Sequence, residues 1–202
     1  MTLLTQMQQR SRAQKSRLFY ETMRPTKDDA VLVIGAGDGS DFVADYPWKT
    51  QVWAVDKDAD HCGRLHNTYP DVHVVCADFC DADDLDNGFF HMRFSVGYSN
   101  AVLEHVADHA RFAAHLRLLC TGYWLTTPNK YWPFDMHSRL PFYHWLTTPW
   151  QESLVLHLRP GNYKDGIHEA LHCADAKELR ALFPDAAVRL LWPGYTLLAV
   201  KR

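Results

Sequence analysis

Short apolar runs recur along the first two thirds of the chain, and polar, helix-like or loop segments separate them. Residues 30–34 are continuously apolar and stop at a glycine cluster, the appearance of a strand buried on both faces of a parallel sheet. Residues 51–55 (QVWAV), 72–77 (VHVVCA), 94–98 (FSVGY) and 123–126 (YWLT) repeat the pattern. Between the last two runs, residues 108–120 carry Phe112, Leu116 and Leu119 at helical spacing. A polar, Arg-rich opening over residues 1–27 reads as a helix that could act as a lid. Strand and helix in alternation imply β-α-β units, a parallel sheet and right-handed crossovers.

The rhythm breaks after residue 129. Residues 129–172 have no clean periodicity but many aromatic rings and prolines, among them Tyr131, Trp132, Pro133, Phe142, Tyr143, Trp145, Pro149, Trp150 and Tyr163. An irregular stretch this long inside a compact domain is usually functional, and this one is expected to form the substrate segment. A capping box, Asp175-x-x-Glu178, then opens a helix reaching about Phe183. Residues 188–192 and 195–200 read as a closing pair of strands joined at Pro193-Gly194. With no repeat and no low-complexity linker, one domain over 1–202 is expected: an α/β fold with helices on both faces of a mostly parallel sheet.

The formal charge of -3 does not favour a general polyanion binder, so nucleic acid is not an expected partner. Charge is nevertheless unevenly placed. Arg10, Arg12, Lys15, Arg17, Arg24 and Lys27 face only Glu21 in the opening segment, a pattern that fits either cover for an anionic ligand or a solvated helix face. No uninterrupted apolar run approaches the roughly 18 residues of a membrane span. The five cysteines are odd in number and unrelated in spacing, which fits reduced thiols in a cytoplasm.

Candidate chemistry gathers at the strand ends. Gly35-Ala36-Gly37-Asp38-Gly39-Ser40 follows the first strand, where glycines let the backbone approach a ligand at the carboxyl edge of an open sheet. The dinucleotide fingerprint would need a glycine or alanine where Ser40 stands, so a nicotinamide cofactor is not expected. Asp56, followed by Lys57, closes the second strand, and its carboxylate can accept from both hydroxyls of a ribose. After the third strand, Asp78 can accept from an exocyclic adenine amine while Phe79 packs on the ring. The fourth strand ends in Ser99 and Asn100, which either meet a ligand or cap a helix.

As an ordered set, VLVIGAGDGS (31–40), VWAVD (52–56), ADF (77–79), SNAVLEHV (99–106) and TTPN (126–129) resemble the class I S-adenosylmethionine-dependent methyltransferases of the small bacterial type. The resemblance covers roughly residues 28–202. It implies a Rossmann-like seven-stranded sheet with an antiparallel hairpin at one edge, S-adenosylmethionine as cofactor, the glycine turn under its methionine moiety, Asp56 on the ribose and Asp78 near the adenine. Because strand four ends in GYSN, the branch with an NPPY-type motif that methylates amino groups is not expected. A small-molecule acceptor is. The alternatives are an enzyme that cyclises or transfers the aminocarboxypropyl arm and releases methylthioadenosine, as azetidine-carboxylate synthases do, and a non-catalytic methyltransferase-like subunit.

For catalysis the candidates are His137, Tyr131 and Asn100, with Tyr131, Trp132, His137, Arg139 and Trp145 as substrate contacts. A histidine near its free pKa can take a proton from an attacking hydroxyl or amine. Aromatic faces suit a sulfonium or an amine. His168-Glu169-Ala170-Leu171-His172 matches the HExxH zinc pattern, but the capping box at Asp175 starts the helix too late to carry both histidines, and no metal is expected.

Overall fold

Strand β1 (Val31–Ile34) is buried at every position and pairs in parallel with β2 (Val52–Asp56) on one side and β4 (Phe94–Asn100) on the other. In this computed structural model, residues 14–83, 85, 88–135, 137–161, 171–191 and 194–202 are described. The other strands are β3 (His73–Cys76), β5 (Cys120–Pro128), β6 (Ala187–Leu191) and β7 (Thr196–Lys201). Together they form a seven-stranded sheet in the order β3-β2-β1-β4-β5-β7-β6, with the C-terminal strands antiparallel. The order reverses beside β1, which sets the carboxyl ends of β1 and β4 around a topological switch point.

Contacts divide the chain into two units. The first comprises residues 1–99, 111–125 and 200–202. Its core holds an aromatic cluster in which Tyr98 stacks on Trp124 at 5.3 Å and on Phe42 at 4.0 Å. Phe19, fully buried, meets Phe42, Tyr98 and Trp124 edge-on at 5.1–5.9 Å, the geometry that sets a ring's positive edge against a neighbour's negative face. Phe19 lies on α1 (residues 14–23), so this part of the expected N-terminal lid is a core helix. Its outer face is solvated and carries an exposed Arg17–Glu21 pair. Residues 1–13 lie outside the described residues.

Helix α2 (Phe42–Asp45) follows the glycine turn, and α3 (Ala59–Thr68) begins at Asp58, whose Oδ1 accepts from the backbone N–H groups of Asp60 and His61. Helix α4 (His109–Leu119) turns Phe112, Ala113, Leu116 and Leu119 inward. It packs so closely that a Cβ built on Gly97 of β4 would lie 2.5 Å from Leu116 Cδ1.

The second unit comprises residues 100–110 and 126–199. Here the structure adds α5 (Thr148–Leu158) within a stretch the sequence reads as irregular. Only Gln151 and Val155 are buried on it, whereas Trp150, Leu156 and Leu158 are exposed, so no apolar stripe announces the helix. Tyr143 and Val155 form its small core with Leu140 and Leu154. Helix α6 (Ala176–Leu182) starts as the capping box predicts, with Asp175 Oδ1 accepting from Lys177 and Glu178 N–H. No helix among the described residues is long and apolar enough to cross a membrane.

Candidate functional site

The turn after β1 is tied to β2 by Gly35 N–H, which donates to Val55 O at 2.9 Å. Gly35, Gly37 and Gly39 all lie in the left-handed region, at φ 66°, 58° and 77°. Their surroundings differ. A Cβ on Gly39 would lie 2.2 Å from Leu65 Cδ1 and 2.9 Å from the Tyr69 ring, so this glycine lets α3 close on the turn. A Cβ on Gly37 would meet nothing within 4 Å, so this position leaves room for a ligand instead of a neighbouring side chain. Ala36, half-buried, completes the turn by donating to Val55 O.

Asp56 ends β2 with its side chain only 11% exposed. Its Oδ2 accepts from Gly37 N–H at 2.7 Å and its Oδ1 from Asp58 N–H at 3.0 Å. Each oxygen keeps a further lone pair, so the carboxylate is aimed by the backbone before a ribose arrives. Lys57 is exposed beside it. Asp78 is exposed after β3 and accepts from Cys80 N–H at 2.8 Å. Phe79 departs from expectation. Its ring is buried edge-on against Phe112 and His115, so it packs in the core and not on an adenine. Ser99, wholly buried at the end of β4, has no partner for its Oγ among the described residues.

An open position over Gly37, a backbone-aimed Asp56 and an orphaned Ser99 hydroxyl fit the polar groups of a nucleoside with an amino-acid arm. These residues belong to the first unit.

The second unit gathers a different set. Asn100 is held by Thr126 Oγ1, which donates to its Oδ1 at 2.7 Å. Ala101 follows at φ 58°, a conformation that a non-glycine residue keeps only where its surroundings impose it. The 3-10 turn Leu103–His105 buries Glu104 completely. Thr127 Oγ1 donates to Glu104 Oε2 at 3.2 Å, while Oε1 is buried without a hydrogen-bond partner among the described residues. Burial holds this carboxyl above its ordinary value, although His105 and His137 pull it down.

His137, half-buried, presents Nδ1 to Asp135 Oδ1 at 3.5 Å, and its ring centroid lies 5.1 Å from that of His105. Asp135 is itself buried. Burial pushes its carboxyl up, but hydrogen bonds from His137 and Ser138 outweigh burial and leave it below its ordinary value. Ser138 N–H donates to Asp135 Oδ2 at 2.6 Å, which closes the loop that carries His137.

The remaining expected residues are scattered. Tyr131 is exposed and its hydroxyl donates to Asp175 at 3.2 Å. Trp145 is half-exposed and its indole N–H donates to Lys130 O at 2.6 Å. Trp132 faces Tyr195 at 6.2 Å, and Arg139 is exposed at φ 59°. Tyr143, one of the rings of the irregular segment, is core.

His172 is exposed and precedes α6, in line with the sequence reading of HExxH, while His168 lies outside the described residues. Glu104 and Asp135 are the polar residues that sequence reasoning passed over. An acid set between Leu103 and Val106, just after the fourth strand, is the signal that could have found the first.

No protein-family model matches the chain, and no curated protein matches it in sequence. Solved structures do match in fold. The fold is that of the S-adenosylmethionine-dependent methyltransferases. A methyltransferase from Anabaena variabilis shares 14% identity at a TM-score of 0.62, over 94% of this chain and 83% of its own. A methyltransferase-like protein in complex with the Haloferax volcanii Trm112 methyltransferase activator shares 13% at 0.60, over 92% and 87%. The magnesium protoporphyrin IX methyltransferase of Synechocystis, with S-adenosylhomocysteine bound, shares 14% at 0.56, over 96% and 83%. The methyltransferase fold thus spans nearly the whole chain.

Proposed function

We propose that this protein is an S-adenosylmethionine-dependent methyltransferase acting on a small-molecule acceptor. The observation that carries the reading is the glycine turn with its open position at Gly37, set beside the backbone-aimed carboxylate of Asp56. Solved structures of this fold include methyltransferases, one of them with S-adenosylhomocysteine bound. The absence of a basic surplus supports a small acceptor over a nucleic acid. Five free cysteines fit a reducing, cytoplasmic setting.

When bound, S-adenosylmethionine supplies a methyl group already activated by its positive sulfonium. What the protein adds is alignment and exclusion of water. Asp56 accepts from the ribose hydroxyls, Gly37 leaves space for the ligand, Asp78 offers an acceptor to the adenine amine, and the buried Ser99 Oγ can pair with a polar group of the ligand. Among the residues read as catalytic, Asn100 and Tyr131 are already engaged by Thr126 and Asp175. His137, in the second unit, is the remaining candidate for a base: with Nδ1 3.5 Å from Asp135 Oδ1, its Nε2 can accept a proton.

The test is calorimetry with S-adenosylhomocysteine and with NADH, followed by chromatography of the product formed from S-adenosylmethionine. Binding of the first ligand alone, weakened more than tenfold in Asp56→Ala, is expected. Tight nicotinamide binding without binding of the thioether refutes the assignment. Methylthioadenosine as the sole protein-dependent product would keep the cofactor and overturn methyl transfer.

A further inference from the structure

We propose that Glu104, His105 and His137 form a binding site for one divalent transition-metal cation. One carboxylate oxygen and two imidazole nitrogens, one ligand atom from each residue, lie within 4.8 Å of one another. Ligands at the roughly 2.1 Å bond lengths of zinc sit about 3.4 Å apart around a tetrahedral ion, so a contraction of at most about 1.4 Å seats the cation. Imidazole donors select a transition metal over calcium or magnesium, which take oxygen shells.

Three features show a site built in advance. Glu104 is buried, has one oxygen engaged by Thr127 and leaves the other without a partner among the described residues. A buried carboxylate is costly unless something positive or a donor meets it, and a cation between the imidazoles would. Next, Asp135 Oδ1 lies 3.5 Å from His137 Nδ1, at ion-pair distance, close enough for the carboxylate to orient the imidazole while the opposite nitrogen ligates. Finally, the backbone on both sides is pinned. His105 N–H donates to Val102 O, His172 N–H to Glu104 O, and a Cβ on Gly161 would lie 2.2 Å from His137 O.

Three protein ligands leave at least one coordination position open to oxygen. The binding site stands on its own geometry. Its use in catalysis rests on the function proposed above: an acceptor hydroxyl bound there would lose its proton more readily, and His137 Nε2 would then serve as a ligand in place of a base.

The full chain, purified without a histidine tag and stripped with a chelator, is titrated with Zn(II) by calorimetry and with Co(II) by visible absorption. One equivalent per chain is expected. His137→Ala and Glu104→Gln should each weaken binding more than a hundredfold, beyond the roughly 10- to 100-fold loss expected for Asp135→Asn, which touches only the supporting carboxylate. His168→Ala/His172→Ala should bind as the unaltered protein does. His137 is half-buried on a loop, so its variant keeps the test open should Glu104→Gln fail to fold. Absence of saturable binding in the unaltered protein, unchanged affinity in His137→Ala, or loss in the His168→Ala/His172→Ala protein would each overturn the site. Binding of S-adenosylhomocysteine is measured alongside, so that a chain that takes the metal but not the thioether refutes the proposed function and leaves the metal site standing.

Discussion

Gly37 and Gly39 sit two positions apart in the same left-handed turn, and alanine at each should fail for a different reason. Both substitutions place an L side chain at positive φ, which costs about 1–2 kcal/mol. At Gly37 the new methyl meets no protein atom within 4 Å, so backbone strain is the whole of its effect on folding. At Gly39 it would sit 2.2 Å from Leu65 Cδ1 and 2.9 Å from Tyr69, and Leu65 is fully buried with nowhere to retreat. Overpacking adds about 1–3 kcal/mol there, for a total of about 2–5 kcal/mol. In a chain of this size each kcal/mol moves the melting temperature by about 2–4 °C, so Gly37→Ala should lose about 2–8 °C and Gly39→Ala about 4–20 °C. Affinity should rank the other way. A methyl at Gly37 intrudes on the ligand, and a clash of about 1–3 kcal/mol weakens S-adenosylhomocysteine roughly 5- to 150-fold. Melting by scanning fluorimetry and binding by calorimetry, on the same preparations, separate the two. The reasoning fails if Gly37→Ala binds as tightly as the parent, or if it unfolds as readily as Gly39→Ala.

Two stability predictions follow from the packing. Phe19→Ala should remove the edge-on ring from the aromatic cluster and cost about 3–5 kcal/mol, read as a fall of about 6–20 °C in melting temperature; a loss of under 2 °C would show that α1 is not part of the core. Asp175→Ala should cost about 0.5–2 kcal/mol at neutral pH by uncapping α6. Hydrogen bonds from Glu178 and Lys177 N–H hold the Asp175 carboxyl below its ordinary value. The cap is therefore at full strength above the unfolded value of about 3.9 and fades as pH falls through the depressed one, so denaturant titrations of parent and variant should converge in that direction.

Strands β1 and β2 were legible because they are largely buried and read as apolar runs, one stopping at a glycine and the other at an acid, whereas β3 is mostly exposed and showed only through its place in the alternation. β1 and β2 lie within a residue of the expected bounds, whereas β5 extends from Cys120 to Pro128, well beyond the four residues its apolar run marks. Helix α5 was illegible for the opposite reason: it buries so little that its composition carries no period. Its start was nonetheless written, in Thr147 followed by Pro149 in the first helical turn. The contact between the glycine turn and Asp56 could be anticipated because strand, turn and acid adjoin at neighbouring strand ends. The group of Glu104, His105 and His137 could not, because a loop closed by Asp135 and Ser138 brings His137 to a turn far away in the chain.

The strand order also dictates a sequence of assembly. β1 meets its first partner, β2, early in synthesis, but its other edge waits for Val96 of β4. The far side waits longer still, because β7 inserts between β5 and β6 although it is made last. Until β7 arrives, β5 presents an apolar edge with unpaired backbone groups, and β6 has nothing to join. A chain that lacks β7 therefore exposes the kind of edge that recruits other strands.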